Sequence, residues 1–300
     1  MPCTMYNMAR PSFLQNILPD IKGKLALLNE KTFALPAAEK LFYNNSSEWG
    51  LPDSMTKAKF INGLAKLKIW DEIDLLSADN KVKKLYSLPG ASNYDIIHSI
   101  NRNGYFTHYT ALYYHDLTLQ IPKVFYLNAE HSVPTSAPKD SLLNQAAIDR
   151  AFAKDQRKSL NEYTWNNFRV ILLRGKWTNE LGVQQIINEH GTFKITDIER
   201  TLIDAVVRPV YCGGVTEVLA AFKAAEESLD IEKLFHHLKK LDYLYPYHQC
   251  IGFYLEKAGY TEDSMKKFGT LDMKFNFYMT YNIRQKEYNE RWKIYYPKGL

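Results

Sequence analysis

Eight side chains near the start of the chain have the types and spacing to hold a phosphate backbone and read a base. Thr56, Lys57, Lys59, Asn62 and Lys66 fall within one short segment, and Lys81, Lys83 and Lys84 follow an Asp79-Asn80 turn. Each lysine ammonium can neutralise a phosphate and release roughly one counterion. The Asn62 carboxamide carries the donor and acceptor that match adenine N6 and N7 in a major groove. At about 100° per residue, the segment 54–68 divides into two arcs. Ala58, Phe60, Ile61, Leu64, Ala65 and Leu67 fill one; Thr56, Lys59, Asn62, Gly63 and Lys66 fill the other, with Lys57 in the first turn. A recognition helix needs one face for packing and one for DNA. The same division also describes an ordinary solvated helix, so the helix alone does not decide.

The other chemically active residues point to structure more than to catalysis. His108 and His115 stand seven apart with no third ligand at a metal-site spacing, so hydrogen-bonded structural roles are expected. In the run from Ile195 to Asp204, Thr196 and Glu199 have the spacing of a capping box, and Arg200 and Asp204 that of a pair along a helix. Asp272-Met273-Lys274 has the form of half a nuclease site without an identifiable partner acid. It leaves a DNA-targeted, metal-dependent nuclease or nucleotide-modifying enzyme as the alternative class. Cys212, just before Gly213-Gly214, reads as a buried thiol. No GxSxG, Walker A or GxGxxG motif occurs, and no catalytic residue, metal or cofactor is expected.

These residues need elements to position them. Phe13, Ile17, Ile21 and Leu25 predict a helix over 11–31, bent at Pro19 and Gly23. A second helix is expected over 32–44, with Pro36 in its first turn, and a third runs from a Ser54 cap to Lys68. A hairpin follows, its first strand carrying Asp71, Glu72 and Asp74 and its second the lysines, closed by Leu88-Pro89-Gly90. Three helices and then a basic hairpin is the order of a winged helix-turn-helix. Beyond it, helices are expected at 92–102, 107–116, 141–154, 197–208, 214–228, 230–241 and 247–258. Strands are expected at 122–128 and 168–174, as a pair within 182–196, and at 272–281 and 289–296. Residues 129–141, rich in Ser, Pro and Ala, read as an exposed loop. The expected fold class is α+β, with a winged helix-turn-helix domain over 1–90 and a mixed α+β domain over 91–300.

Composition sets limits on this reading. The 300 residues are 46% hydrophobic and 24% charged, values of an ordinary globular chain. A net charge of +5 permits a nucleic-acid partner without demanding one. The 21 Tyr and 15 Phe serve first to fill cores. Three widely spaced cysteines form no CxxC pair, so neither a disulfide framework nor a zinc site is implied. Met1 to Arg10 lacks the apolar run of a signal peptide, and no apolar stretch nears the roughly 20 residues of a membrane span, so a cytoplasmic setting without a membrane partner is expected. From Lys139 to Lys176 eight Lys or Arg face four acids. Arg150, Arg157, Lys158, Arg169, Arg174 and Lys176 make this stretch a candidate contact for RNA or protein, or a solvated face.

Three segments in order resemble the AbiEi family, the antitoxins and transcriptional regulators of bacterial abortive-infection systems classed as type IV toxin–antitoxin. They are Phe60-Ile61-Asn62-Gly63-Leu64, then Tyr105 to Leu112 with Gln120-Ile121-Pro122, then Ile195 to Asp204 with Pro209 and Gly213-Gly214. The chain departs from the family pattern at Asp116, where Gly is more usual, and in its longer N-terminal 30 residues. The resemblance implies a repressor of its own operon, bound through the N-terminal domain. Modules of this kind commonly read inverted half-sites, so a homodimer on inverted repeats of operator DNA is expected. It also implies a C-terminal domain that counteracts a co-encoded nucleotidyltransferase toxin without a stable complex, in phage defence. It supplies no catalytic residues.

Overall fold

The computed structural model describes residues 12–133 and 143–300, so the first residues of the chain and much of the 129–141 segment lie outside the described residues. The chain is mixed α+β and divides into two compact units. The first comprises Met1–Leu76, Asn80–Ile100 and Ile187–Phe193; the second comprises Ser77–Asp79, Asn101–Ile186 and Lys194–Leu300. The first unit thus continues past Gly90 and takes in a distant hairpin tip.

In the first unit α1 (Phe13–Asn16), α2 (Leu18–Ala26), β1 (Thr32–Ala34), α3 (Leu35–Asn45), α4 (Lys57–Lys66), β2 (Asp71–Ser77), β3 (Val82–Ser87) and α5 (Asn93–His98) follow in order. Thr32–Ala34 is a strand, where helical spacing had suggested a helix start. It pairs antiparallel with β3, and the buried Thr32 and Ser87 hydroxyls lie 3.1 Å apart, so sheet pairing overrides local propensity. Pro36, near the N-terminus of α3, then fixes where the helix begins. The sheet runs in the order β1-β3-β2.

The cap of α4 is Thr56, not Ser54: its Oγ1 accepts the Lys59 N–H at 3.3 Å. The helix ends at Lys66 because Lys68 turns left-handed at φ 52 and the Ile69 N–H closes onto the Leu64 carbonyl. Its inner face buries Phe60, Ile61 and Leu64. Phe60 stacks on Trp49 at 5.7 Å and meets Trp70 edge-on at 6.5 Å. Burying a side chain of that size contributes about 2–3 kcal/mol. Gly63 does not face outward. A Cβ there would lie 2.3 Å from Leu14 Cδ1, so α1 crosses α4 at the one position without a side chain. Asp95, fully buried, accepts from the Lys31 and Thr192 backbone N–H groups and joins three separate stretches of this unit.

The second unit contains β4 (Tyr105–Phe106), α6 (His108–Tyr114), β5 (Val124–Glu130), α7 (Gln145–Phe152), β6 (Glu162–Trp165) and β7 (Phe168–Gly175). It continues with the hairpin of β8 (Val183–Asn188) and β9 (Gly191–Thr196), whose tip belongs to the first unit, and then α8 (Ile198–Val207), α9 (Val215–Ala224), α10 (Ile231–Leu241), α11 (Tyr247–Ala258) and α12 (Glu262–Gly269). The strands β10 (Phe277–Tyr278), β11 (Lys286–Asn289) and β12 (Ile294–Pro297) end the chain. The larger sheet here runs β6-β7-β5-β4-β9-β8, with β5 and β7 parallel and in register from Val124↔Arg169 to Glu130↔Gly175. Helices α8, α9, α10 and α11 close the core, where Phe222 stacks on Tyr254 at 5.1 Å. In place of two long C-terminal strands there are three short ones, in the order β10-β12-β11. No helix among the described residues is long and apolar enough to cross a membrane.

One close approach holds the C-terminal strands against α11. A Cβ on Gly252 would sit 2.1 Å from the ring of fully buried Trp292, so only glycine lets the indole lie flat on the helix. Gly252→Ala is expected to cost at least about 2 kcal/mol in urea unfolding, against a small gain from helix propensity alone. An unchanged or raised stability would contradict this packing.

Candidate functional site

The eight sequence-selected residues lie on α4 and on the β2–β3 hairpin, but in different electrostatic states. Lys59, Asn62 and Lys66 are exposed along the outer face of α4. Lys59 Nζ donates back to the Ser54 carbonyl at 3.0 Å, beside the Thr56 cap. Lys57 is only half-exposed and pairs with Glu39 of α3 at 2.8 Å; that hydrogen bond holds its pKa above the ordinary lysine value. Asn62 and Lys66, with Lys68, Trp70, Asp71 and Glu72, line an open groove of about 580 Å³ between α4 and β2.

On the hairpin the register decides what each lysine does. Leu75 stands opposite Lys83 and Ile73 opposite Leu85, so Lys83 shares the face of the buried Leu75 and Leu85. Its Nζ donates to the Ile100 carbonyl at 2.7 Å, and burial lowers its pKa. Lys84 lies on the other face and pairs with Glu72 at 2.9 Å; that bond raises its pKa. Lys81 is exposed near the turn that contains Asn80, whose φ of 61 suits a left-handed position. The acidic strand β2 thus neutralises one hairpin lysine directly.

The second unit holds a cavity of about 430 Å³ that the sequence had not assembled. Its lining includes Arg157, Lys158, Arg174, Lys176, Arg200 and Arg208, together with one carboxylate, Asp204. The basic stretch before Lys176 supplies four of these, while Arg169 pairs with Glu162 at 2.5 Å. Arg150 lies on α7, outside the lining.

Arg200 and Asp204 are both buried and bonded at 2.8 Å, as their spacing on α8 predicted. Burial works against the guanidinium's charge, but the Asp204 carboxylate outweighs it and holds the Arg200 pKa above its usual value. The other Asp204 oxygen accepts from Thr107 Oγ1 at 2.7 Å, so that hydroxyl does not cap α6. Arg200 also donates to the Leu181 carbonyl at 2.8 Å and reaches Thr178 Oγ1 and the Tyr105 hydroxyl at 3.3 and 3.4 Å. The capping box expected at Thr196 and Glu199 does not form, and the cap moves on by one residue. Asp197 caps α8 by accepting the Arg200 N–H, Thr196 pairs with the Thr201 hydroxyl, and Glu199 turns to Lys233 at 2.7 Å.

His108 lines the same cavity. It is 7% exposed, its Nδ1 has no hydrogen-bond partner, and its backbone is left-handed at φ 54, a strained state for a residue other than glycine. Its ring meets Tyr211 edge-on at 5.3 Å. Burial pushes its pKa down to about 4, against the pull of Asp204. His115 instead bonds the Thr196 carbonyl at 2.6 Å.

Among solved structures, the RV2827C protein of Mycobacterium tuberculosis superposes with a TM-score of 0.57 at 12% identity, covering 95% of this chain and 92% of that one. At that identity the likeness is one of fold. No protein-family model matches the sequence, and no curated protein matches it.

Two further sequence candidates resolve into ordinary contacts. Asp272 pairs with its neighbour Lys274 at 3.0 Å on the surface, and no group of three His, Cys, Asp or Glu residues suited to a metal occurs among the described residues. The Cys212 and Cys250 thiols are fully buried, which raises their pKa values well above the ordinary thiol range. Arg208, Tyr211 and Tyr243, which complete the cavity, had no local sequence signal.

The neutral burial of His108 has a pH signature. As pH falls below 6.5 the unfolded chain protonates this imidazole, while the folded chain does so only near 4. Stability therefore declines between those values and levels off below them. Asn tolerates a left-handed backbone, so His108→Asn is expected to lessen the loss of stability between pH 7 and pH 4.5 by about 2 kcal/mol in denaturant titrations. Equal pH dependence in both proteins would contradict a neutral, desolvated histidine.

Proposed function

We propose that the chain is a DNA-binding autorepressor and antitoxin of a type IV toxin–antitoxin phage-defence system, with its first unit working as a winged helix. The observation that carries DNA reading is the outer face of α4. Lys59, Asn62 and Lys66 are exposed on a helix whose opposite face, Phe60, Ile61 and Leu64, is locked in the core. A helix, a strand, two helices and a hairpin, with a three-stranded β1-β3-β2 arrangement, support the winged-helix reading. On this reading Thr56 orients the helix mouth, Asn62 reads a base edge, and Lys59, Lys66 and Lys81 meet phosphates. Lys57 and Lys84 contribute less because the Glu39 and Glu72 carboxylates neutralise them, and Lys83 because it is half-buried on the core face of the hairpin.

The antitoxin part rests on the family resemblance, which implies a nucleotidyltransferase toxin as functional partner. The operator is read as inverted half-sites by a homodimer in the cytoplasm. One structural fact favours the antitoxin part. The two downstream segments that carry the resemblance meet in the second unit, with β4 parallel to β9 at Phe106↔Ile195 and Thr107 bonded to Asp204.

Replacing Lys59 and Lys66 together with Ala is expected to lower affinity for the upstream operator at least about tenfold and to reduce the slope of log K against log salt by about 2. Unchanged affinity and slope would remove α4 from the interface. Glu72→Gln tests the hairpin separately. Freeing Lys84 from its carboxylate is expected to tighten DNA binding by about two- to fivefold and steepen the salt slope, whereas no change would place the hairpin off the DNA.

A further inference from the structure

The cavity of the second unit has an excess of positive charge that the carboxylates of its lining do not match. Of its six cationic side chains, Arg200 is matched by Asp204, the one carboxylate in the lining. Arg157, Lys158, Arg174, Lys176 and Arg208 remain, and none pairs with a carboxylate among the described residues. Two are held in place by carbonyls or backbone. Lys176 Nζ donates to the Leu241 and Asp242 carbonyls at 2.9 and 3.0 Å. Arg208 donates to the Arg157 carbonyl at 3.1 Å and lies 5.9 Å over the Tyr211 ring. Cations oriented by neutral acceptors keep their charge available, and converging like charges without a counter-ion raise the energy of the empty site.

Two more features mark the cavity as built. His108, more than nine-tenths buried, presents an Nδ1 with no partner and holds a strained backbone at the cavity wall. Strain of this kind persists where a site constrains it. At Gly175 a Cβ would come within 2.9 Å of Asn128 Oδ1, so the wall closes only around glycine at that point. The walls also carry aromatic surface, Tyr211 and Tyr243, beside the cations.

We propose that this cavity binds the polyphosphate of a nucleotide. Arg forks and Lys ammonium groups match phosphate oxygens with charge-assisted hydrogen bonds. A nucleoside triphosphate carries about four negative charges near neutral pH, which the five free cations balance. A volume of about 430 Å³ lies in the range of small-ligand sites and accommodates one nucleotide rather than a duplex. The base stacks on the aromatic wall, and the His108 imidazole offers it a hydrogen bond. The same chemistry has two sources, a free nucleoside triphosphate or the 5′-triphosphorylated end of an RNA.

Calorimetric titration of the full chain with ATP, GTP, CTP and UTP, and with a short RNA bearing either a 5′-triphosphate or a 5′-hydroxyl, separates them. At 150 mM salt at least one triphosphate is expected to bind at about 100 µM or tighter. Arg174→Ala and Arg208→Ala, both exposed positions, should each weaken it at least about tenfold without lowering the melting temperature, and Arg150→Ala should leave it unchanged. Free nucleotides binding assigns the site to the mononucleotide. The triphosphate RNA binding well above its 5′-hydroxyl counterpart, with free nucleotides silent, assigns it to the RNA end. Binding of none below about 1 mM, equal binding by both RNAs with free nucleotides silent, or full affinity in both cavity variants would overturn the proposal. Because α4 variants leave this cavity intact, the outcome is independent of DNA binding by the first unit.

Discussion

The second unit is organised around one buried guanidinium. A charged Arg200 out of water is unstable unless its donors are met, and the surrounding segments satisfy that demand. Asp204 supplies the countercharge, Leu181 a carbonyl, and Thr178 and Tyr105 hydroxyls. Those partners come from α8, β4 and the turn after β7, so the charge fixes where the strand ends meet the helix. Glu130 extends the network, accepting from Thr178 and the Tyr105 hydroxyl. Burial raises its carboxyl, and the Thr178 hydrogen bonds outweigh this and hold it below the usual range. With Asp204 so engaged, no carboxylate of the cavity lining is left to neutralise its other cations. The structural requirement of one arginine thus leaves the charge of three other arginines and two lysines available to an anion.

The first unit rests on a different constraint, the aromatic core beneath α4. Trp49, Phe60 and Trp70 pack in contact, and the Trp70 Nε1 donates to the Ile61 carbonyl at 3.3 Å. That bond anchors the helix backbone to the hairpin side and leaves the opposite face to solvent. Rigid presentation of a few polar groups lowers the ordering cost of binding.

Much of this was legible from sequence where the pattern was local. The helix 247–258 and the division of α4 into Phe60, Ile61, Leu64 against Lys59, Asn62, Lys66 follow from periodicity alone, and the strand at 168 follows from a continuous apolar run. Elements fixed by partners were not. Thr32–Ala34 is a strand only because β3 lies beside it, and Gly63 turns inward only because α1 crosses there. Two helix caps moved, to Thr56 and Asp197, since several side chains capable of capping stood in a row and tertiary contacts selected among them. The β6–β7 hairpin had a signal that went unused: Asn166-Asn167 between Trp165 and Phe168, with Asn166 at φ 49. The cavity had none. Its cations arrive from 157–158, 174–176 and 200–208, positions that only the fold brings together.

DNA on the outer face of α4 is the proposal that hydrogen exchange tests without any substitution. With the operator fragment bound, amides in 56–68 and around the 77–82 turn should gain protection relative to the free protein, while those around the cavity of the second unit remain unchanged. Protection confined to the second unit, with 56–68 exchanging as in the free chain, would contradict the central claim.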